Sequence, residues 1–159
     1  MGTMAVRAAT AADEPAVARI FRSASLSNAG DRDALLAHPE ALVLADDLIA
    51  RGRTRVATTP DGTVVGFAST RPGHRGVLEL DDLFVDPRAR RTGAARQLVL
   101  RIVDEAADDG VVRIDVTANP HACAFYDAVG FVADEREDTR FGPGLRMHLD
   151  VAAPGRPRT

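Results

Sequence analysis

The chain has 159 residues and a formal net charge of −3 at pH 7, with 45% hydrophobic and 27% charged residues. A chain of this length can bury one core without disulfides or metals, so we predict a single domain over residues 1–152 and a disordered tail over 153–159. The acidic balance argues against a general nucleic-acid binder, which needs positive charge for the phosphates. One cysteine, Cys123, and four scattered histidines offer no disulfide and no metal-ligand spacing.

No apolar run approaches the roughly 18 residues that a membrane span requires. The segment Met1–Val6 also lacks the charged leader and apolar core of a secretory signal. We therefore expect a cytoplasmic protein with no membrane partner.

The first predicted elements are a strand over Ala5–Ala8 and a helix from about Ala11. Thr10 and Asp13 have the spacing of a capping box. The apolar face of this helix follows at Val17, Ile20 and Phe21.

Residues 23–48 carry the weakest signals of the chain. We expect a loop at Asn28–Asp31 and short helices around Leu35 and over Leu42–Leu48.

A hairpin follows, with strands over Arg53–Thr58 and Thr63–Thr70 around an Asp61-Gly62 turn. A second turn, at Pro72-Gly73, leads into a strand over Val77–Val85.

The second half alternates helices and strands after an arginine-rich turn. The predicted elements are a helix to Asp109, a strand over Val111–Thr117, a helix over Pro120–Val129, and strands near Phe131–Asp134 and Leu145–Val151. Because a helix between two strands normally joins parallel neighbours, the two strands around the long helix should run parallel. We therefore predict an α+β fold with a mixed, mostly antiparallel central sheet flanked by helices.

The strand over Val77–Val85 changes its apolar face part-way. Its apolar positions are even and then odd: Leu78, Leu80, Leu83 and Val85. An extra residue near Asp81-Asp82, a β-bulge, would keep all of them inside, and bulges are frequent beside active sites. The alternative is a strand that is buried on both faces with an irregular end.

Three carboxylates, those of Glu79, Asp81 and Asp82, lie on this otherwise apolar strand. Burying an unpaired carboxylate is costly, so these side chains either line a solvent-filled cleft or pair with arginines. The sequence leaves both alternatives open.

The turn DPRARRTGAARQL, residues 86–98, places Arg88, Arg90 and Arg91 ahead of a helix, although the helix dipole disfavours cations there. A bound anion would reverse this mismatch, because Gly93 allows close backbone approach and the first helical amides point outward. The alternative is a set of solvated loop arginines.

Two motifs resemble those of the GCN5-related N-acetyltransferases. The segment Arg90-Arg91-Thr92-Gly93-Ala94-Ala95 resembles the Q/R-x-x-G-x-G/A pattern of that family. The segment Asn119–Phe131 resembles its N-x-x-A-x-x-F-Y-x-x-x-G-F pattern, and the resemblance covers roughly residues 54–135.

The resemblance implies an acetyl-CoA co-substrate, an amine acceptor and a parallel strand pair that splays apart, and from the cysteine and histidine spacing no metal is expected. Pantetheine would run between the ends of Leu83–Val85 and Arg113–Thr117, bonded like an added strand. Asn119 has an alternative role as the N-cap before Pro120. The residues that the resemblance assigns to the cofactor are Leu83, Phe84, Val85, Arg90, Arg91, Thr92, Gly93, Ala94, Ala95, Arg96, Asn119 and Tyr126.

The same resemblance makes Tyr126 the general acid for the departing thiolate; the alternative is a core aromatic packed beside Phe125. Glu79 is the first candidate for the general base and Asp81 the second. A backbone N–H near Phe84 or Val85 would serve as the oxyanion donor. Cys123 has no convincingly placed base, so a small buried helical residue is the better interpretation.

The acceptor is poorly encoded in the sequence. We expect a primary amine of a small molecule or amino acid, with a protein N-terminus or lysine as the alternative. Arg51, Arg53 and Arg55 either bind an acceptor carboxylate or belong to a solvated edge strand. A non-catalytic acetyl-CoA sensor, or a structural domain with chance motif matches, remains as a rival interpretation. A homodimer also stays open.

Overall fold

The computed structural model describes residues 3–140 and 142–152. The helices are α1 (Glu14–Leu26), α2 (Ala29–Ala37), α3 (Ala94–Asp108) and α4 (Cys123–Ala128). The strands are β1 (Ala5–Ala8), β2 (Thr54–Thr58), β3 (Val64–Pro72), β4 (Val77–Val85), β5 (Arg113–Ala118), β6 (Val132–Thr139) and β7 (Gly142–Asp150). The predicted tail, 153–159, lies outside the described residues.

The described strands form one mixed seven-stranded sheet in the order β1-β2-β3-β4-β5-β7-β6. The β4–β5 ladder is parallel, whereas the other registered ladders are antiparallel. The parallel ladder runs from the pair Val77 and Arg113 to the pair Leu80 and Val116. The predicted α+β fold with a parallel pair around the long helix is therefore confirmed.

The chain divides into two compact units. The first unit comprises Met1–Ser69 and Asp82–Val99, and the second comprises Thr70–Asp81 and Leu100–Thr159. The prediction of one domain over residues 1–152 stays a prediction.

The first unit is organised around α1 and the β1–β3 ladder. The capping box of Thr10 and Asp13 is present, on a short 3₁₀ turn that leads into α1. The Arg7 guanidinium donates two hydrogen bonds to the buried Asp13 carboxylate, at 2.7 and 2.9 Å. The core cluster of this unit is formed by Val17, Ile20, Val56, Val64 and Phe67, and Phe21 is partly buried against it, so the predicted apolar face of α1 is confirmed.

The segment between α1 and β2 is where the sequence prediction fails most clearly. Asn28–Asp31 is not a loop, because α2 already begins at Ala29. The predicted helix around Leu35 exists, but the one over Leu42–Leu48 does not: a 3₁₀ turn over Pro39–Leu42 ends where it should begin, and irregular chain and turns follow. No residue of α2 is buried, so this helix has no apolar face for a periodicity argument to find.

The second unit contains the parallel ladder and the β5–β7–β6 ladders. Along β5 the buried Ile114, Val116 and Ala118 alternate with polar residues, so one face of the sheet is apolar and the other is polar. Strand β6 is exposed throughout and reaches Thr139, beyond the predicted Asp134. It is an edge strand rich in charge, and such strands need no apolar face.

Three smaller predictions are corrected by the structure. Helix α4 begins at Cys123 rather than at Pro120, because a turn occupies the preceding residues. Strand β2 lies between β1 and β3, so Arg55 is not on an edge strand. Cys123 is half-buried rather than buried.

Register irregularities occur at Ala57/Thr58 and at Ala133/Arg136, where none was predicted. The bulge predicted at Asp81-Asp82 stays a prediction. No helix in the described part of the chain is long and apolar enough to cross a membrane.

Candidate functional site

The turn that follows β4 is built on the buried carboxylate of Asp86. Its Oδ1 accepts the backbone N–H of Arg88 at 3.0 Å, and its Oδ2 pairs with Arg19 at 3.0 Å and with the Arg88 guanidinium at 3.2 Å. The Arg88 side chain is the largest cause that lowers the pKa of Asp86 to about 2, against the opposing effect of burial. Arg88 is therefore engaged in the turn itself.

We expect Asp86→Asn to lower the free energy of unfolding by about 1–2 kcal/mol at pH 7. Because the folded-state pKa of about 2 lies below the usual 3.8, the ionised carboxylate stabilises the fold above about pH 4, and this stabilisation fades as the pH falls towards 2. Urea unfolding of both proteins at pH 7 and pH 3 measures the difference, which should shrink by about half. A difference of equal size at both pH values would contradict the assignment.

The loop after this turn contains Arg90 and Arg91, and of these two only the Arg90 side chain has a partner among the described residues. The Arg90 guanidinium donates to Ser27 Oγ, and Thr92 Oγ1 donates to the Ala89 carbonyl at 2.6 Å. Arg91 is exposed and makes no ion pair or hydrogen bond with any residue that the structure describes. Its φ of +63° is unusual for a residue with a side chain, and Gly93 follows at +87°.

The first turn of α3 presents free backbone donors beside Arg91. The first closed bond runs from the Gln97 N–H to the Gly93 carbonyl at 2.9 Å, so Ala94, Ala95 and Arg96 have no acceptor inside the helix. The first turn carries no acidic residue, and a Cβ built on Gly93 would meet nothing within 4 Å. Outward amides, the helix dipole and an open approach together make a cradle for an anion.

The end of β4 is held rigidly in the first unit. The Phe84 ring packs against Phe21 at 5.0 Å and against Phe67 at 5.6 Å between centroids. A Cβ on Gly66 would lie 3.1 Å from the Phe84 carbonyl, so any other residue there would push the two strands slightly apart. The Asp86 N–H donates to the Val65 carbonyl at 2.8 Å, which anchors the strand end.

Glu79 and Asp81 pair with arginines, as one of the two alternatives predicts, whereas Asp82 accepts a hydrogen bond from Ser69. The Arg146 fork bonds both Glu79 oxygens, at 2.5 and 3.1 Å. Arg71 bonds Asp81 at 3.2 Å through two nitrogens, and Ser69 donates to Asp82. Glu79 is the better enclosed of the two predicted bases, since its side chain is 16% exposed against 34% for Asp81.

Tyr126 is buried on α4, and its ring packs edge-on against Phe125 and Phe131, each at 5.2 Å. The ring therefore packs beside Phe125 as the alternative interpretation expects. This packing does not test whether the Tyr126 hydroxyl acts as a general acid. Asn119 Oδ1 accepts the Ala122 N–H at 3.0 Å, so it caps the turn before α4 rather than a helix that starts at Pro120.

The family model for the acetyltransferase (GNAT) family matches residues 19–131. The chain belongs to the GNAT acetyltransferase family. Within this GNAT chain the matched segment includes β4, the arginine turn, α3, and the stretch from Asn119 to Phe131 that carries the second motif.

Two curated relatives of this GNAT chain align with different shares of its length. A glucosamine 6-phosphate N-acetyltransferase from Trypanosoma brucei brucei is 31% identical over 49% of this chain, and the chain spans only 57% of that protein's length. An uncharacterised N-acetyltransferase, YjgM of Escherichia coli K12, is 28% identical over 91% of this chain and 89% of its own.

The fold of this GNAT chain is also found among solved structures. The protein YncA from Salmonella typhimurium, solved with its cofactor acetyl-CoA, aligns over 99% of both chains with a TM-score of 0.69 and 24% identity. At that level of identity the likeness establishes the shared fold.

The structure gathers some of the predicted GNAT site residues and adds others. The predicted cofactor residues from Arg90 to Arg96 are contiguous around the start of α3, and their contact with a cofactor stays a prediction. Sequence reasoning missed Arg146 and Asp115, which contact Glu79 directly or through Arg146. The available signal was the strict alternation along β7, where Arg146 and His148 interrupt Leu145, Met147 and Leu149. Which β4 residue they meet depends on pairing across three strands, which no local pattern encodes.

Proposed function

We propose that this GNAT protein is an acetyl-CoA-dependent N-acetyltransferase that acts on a primary amine of a small molecule or amino acid. The anion cradle at the start of α3 carries the proposal, because it combines unpaired helix amides, the uncommitted Arg91 and the open face of Gly93. Such a cradle suits the pyrophosphate of coenzyme A. The acetyl-CoA complex of the structurally similar YncA supports the choice of cofactor.

The proposed cofactor contacts are those of the two motifs and the end of β4. The backbone amides of Arg91 to Arg96, with the Arg91 side chain and Arg90 beside them, hold the pyrophosphate, and the main chain of Leu83, Phe84 and Val85 accompanies pantetheine. Because the Phe84 side chain is fixed in the core, its backbone presents donors and acceptors in a constant direction. Asn119 and Tyr126 complete this proposed set.

The proposed reaction is direct attack of the amine nitrogen on the thioester carbonyl. The N–C bond forms, the C–S bond breaks, Glu79 takes the proton that the amine loses, and Tyr126 gives a proton to the departing thiolate. A backbone N–H near Phe84 or Val85 stabilises the oxyanion. Asp81 is the second candidate for the base, but its ion pair with Arg71 lies on a more exposed surface.

A small acceptor is favoured by a cleft of about 430 Å³ in the first unit. Its walls come from α1 and residues 42–49, including Leu42, Leu44, Leu48 and Ile49. Arg22, also at this cleft, has no ion-pair or hydrogen-bond partner among the residues that the structure describes. The cleft is mostly apolar but also lined by the carboxylates of Glu14 and Asp46, so together with Arg22 it suits an apolar molecule that carries both an amine and a carboxylate, such as an amino acid.

The function is tested by release of CoA from acetyl-CoA in the presence of single amines. The panel contains L-leucine, L-phenylalanine, L-lysine, spermidine, glucosamine 6-phosphate and a peptide with a free N-terminus. Turnover with an apolar amino acid supports the proposal, whereas turnover with the peptide alone indicates a protein acetyltransferase. Tight CoA binding with no release from any amine indicates a cofactor sensor.

The role of Glu79 is tested by the pH–rate profile of Glu79→Gln. If Glu79 is the base, this variant turns over more slowly and loses the rise in rate with pH that a titrating base gives. An unchanged profile removes Glu79 from that role.

We expect Arg91→Gly to weaken CoA binding by roughly tenfold while leaving the protein as stable as, or slightly more stable than, the parent. The guanidinium loses its contact with the pyrophosphate, whereas the left-handed backbone at φ +63° costs glycine nothing and costs other residues about 1 kcal/mol. Isothermal titration with CoA and thermal melting measure the two effects.

The matched control is Arg75→Gly, at the chain's other described non-glycine residue with positive φ, +49°. It should change stability in the same direction and leave CoA affinity within about twofold. Equal loss of affinity in both variants would show that backbone flexibility, rather than the Arg91 side chain, sets CoA binding.

A further inference from the structure

Arg146, on β7, lies at the centre of a polar cluster in the second unit. Nη1 donates to Glu79 Oε1 at 2.5 Å and to Thr117 Oγ1 at 2.8 Å. Nη2 donates to Glu79 Oε2 at 3.1 Å and to Asp115 Oδ2 at 3.3 Å. Since each Nη carries two hydrogens, all four are used, and the guanidinium has one orientation that satisfies them together.

The partners of Arg146 are themselves held in place. Arg113 donates to Asp115 Oδ2 at 2.9 Å. The Thr117 hydroxyl uses its single hydrogen to donate a hydrogen bond to Glu137 at 2.8 Å. Thr117 is therefore obliged to act as an acceptor towards Arg146. The cluster draws on β4, β5, β6 and β7, so it is fixed by the sheet ladders rather than by a flexible loop.

The Arg146 guanidinium fixes the Glu79 carboxylate but leaves part of its hydrogen-bond acceptor capacity free. Each carboxylate oxygen offers about two lone-pair directions, and Arg146 takes one on each. The remaining direction on each oxygen stays available to a proton from another group. A carboxylate that is held in this way cannot rotate, so the direction in which it accepts a proton is set by Arg146.

Charge reinforces this geometry. The Arg146 side chain is 25% exposed and that of Glu79 is 16% exposed, so the pair is partly withdrawn from water. The hydrogen bonds to Glu79 are the largest cause that raises the pKa of Arg146 above its ordinary value. The guanidinium therefore stays charged beside Glu79.

We propose that Arg146 is a positioning residue that fixes the orientation of the Glu79 carboxylate as the base of the acetyl transfer. This inference rests on the proposed function, in which Glu79 takes the amine proton. Arg146 touches neither the cofactor nor the acceptor in this proposal, and it acts only through Glu79.

The experiment compares Arg146→Gln, Glu79→Gln and the double variant, with acetyl-CoA and the best acceptor of the amine panel. We expect Arg146→Gln to lower kcat by roughly 10- to 100-fold, because a misdirected catalytic group loses rate on this scale. The Kd for CoA and the KM for the acceptor should stay within about threefold. The double variant should be no slower than Glu79→Gln by more than about threefold, since a residue that acts through Glu79 has nothing to position once that carboxylate is gone.

Two further variants separate positioning from a loss of fold. Arg146→Lys keeps the charge but has no planar fork, so it should recover only part of kcat. Arg146→Ala should recover rate when ethylguanidinium is added, while Arg101→Gln, which breaks an exposed 2.7 Å pair with Glu105, should keep kcat within twofold with or without it. Thermal melting of each variant shows that the compared proteins are folded.

The outcomes distinguish the two proposals. If wild type releases no CoA with any amine, the proposed function falls and the positioning role falls with it. If wild type is active but the Arg146 and Glu79 effects multiply, or Arg146→Gln changes only the acceptor KM, or guanidinium gives no rescue, then the positioning role alone is overturned.

Discussion

Gly93→Ala should weaken CoA binding by at least tenfold. Gly93 has φ +87°, and nothing lies within 4 Å of the position that a Cβ would take, so the space beside it is open to a ligand. A methyl group there occupies the approach of the proposed pyrophosphate to the amides of Ala94 and Ala95. The left-handed backbone also resists any side chain, by about 1–2 kcal/mol. Isothermal titration measures the affinity, and urea unfolding measures the strain.

Gly62→Ala is a closely matched control for this substitution. Gly62 has φ +89°, and a Cβ there also meets nothing within 4 Å, but the residue lies in the β2–β3 turn, which the proposed cofactor site does not include. Both variants should lose similar stability, while only Gly93→Ala should lose affinity. If Gly62→Ala weakens CoA binding as much, the loss comes from general destabilisation and the cradle is not where CoA binds.

The elements that the sequence predicted well are those with a local cause. The β2–β3 hairpin follows from an Asp-Gly turn between two apolar runs, and β2 and β3 appear within two residues of their expected ends. Helix α3 has a strong apolar face, with Leu98, Ile102 and Val103 buried, and it was expected to end one residue later than it does. In both cases neighbouring residues carry enough information to fix the structure.

The elements whose bounds the sequence misplaced depend on partners far along the chain. Helix α2 was predicted only around Leu35, because it buries no residue and its start looks like a loop, and β6 was predicted to end near Asp134 although its pairing with β7 continues to Thr139. The start of α4 was placed at Pro120 because Asn119 and a proline form a familiar capping pattern. Asn119 does accept a capping hydrogen bond, but the residues after it form a turn, and the helix begins only at Cys123.

The same contrast between local and long-range causes applies to the candidate site. The proposed anion cradle is a contiguous motif, so its residues could be proposed from the sequence alone, and their role stays a prediction. The environment of Glu79 is a product of sheet register, which places Asp115 opposite His148 on β7 and brings Arg146 beside Thr117. Sequence reasoning reached the carboxylate but not the arginine that holds it, because one residue of slip in any ladder would change the partner.

Tyr126→Phe should lower kcat by roughly 100-fold while leaving CoA affinity within about threefold, because general acid catalysis contributes on this scale. The substitution removes only the hydroxyl, so the edge-on contacts of the ring with Phe125 and Phe131, each at 5.2 Å, are kept. Loss of fold is therefore a poor explanation for a loss of rate, and thermal melting checks this directly. Steady-state release of CoA measures kcat, and isothermal titration measures affinity.

The decisive control for Tyr126 changes the leaving group instead of the enzyme. An acetyl thioester whose thiol is more acidic than that of CoA needs less protonation as it departs, so a true general acid matters less for it. The ratio of wild-type to Tyr126→Phe rates should therefore fall from roughly 100 towards one as the thiol becomes more acidic. A ratio that stays constant across such a series would assign Tyr126 to packing of α4 alone, and another group or water would then protonate the thiolate.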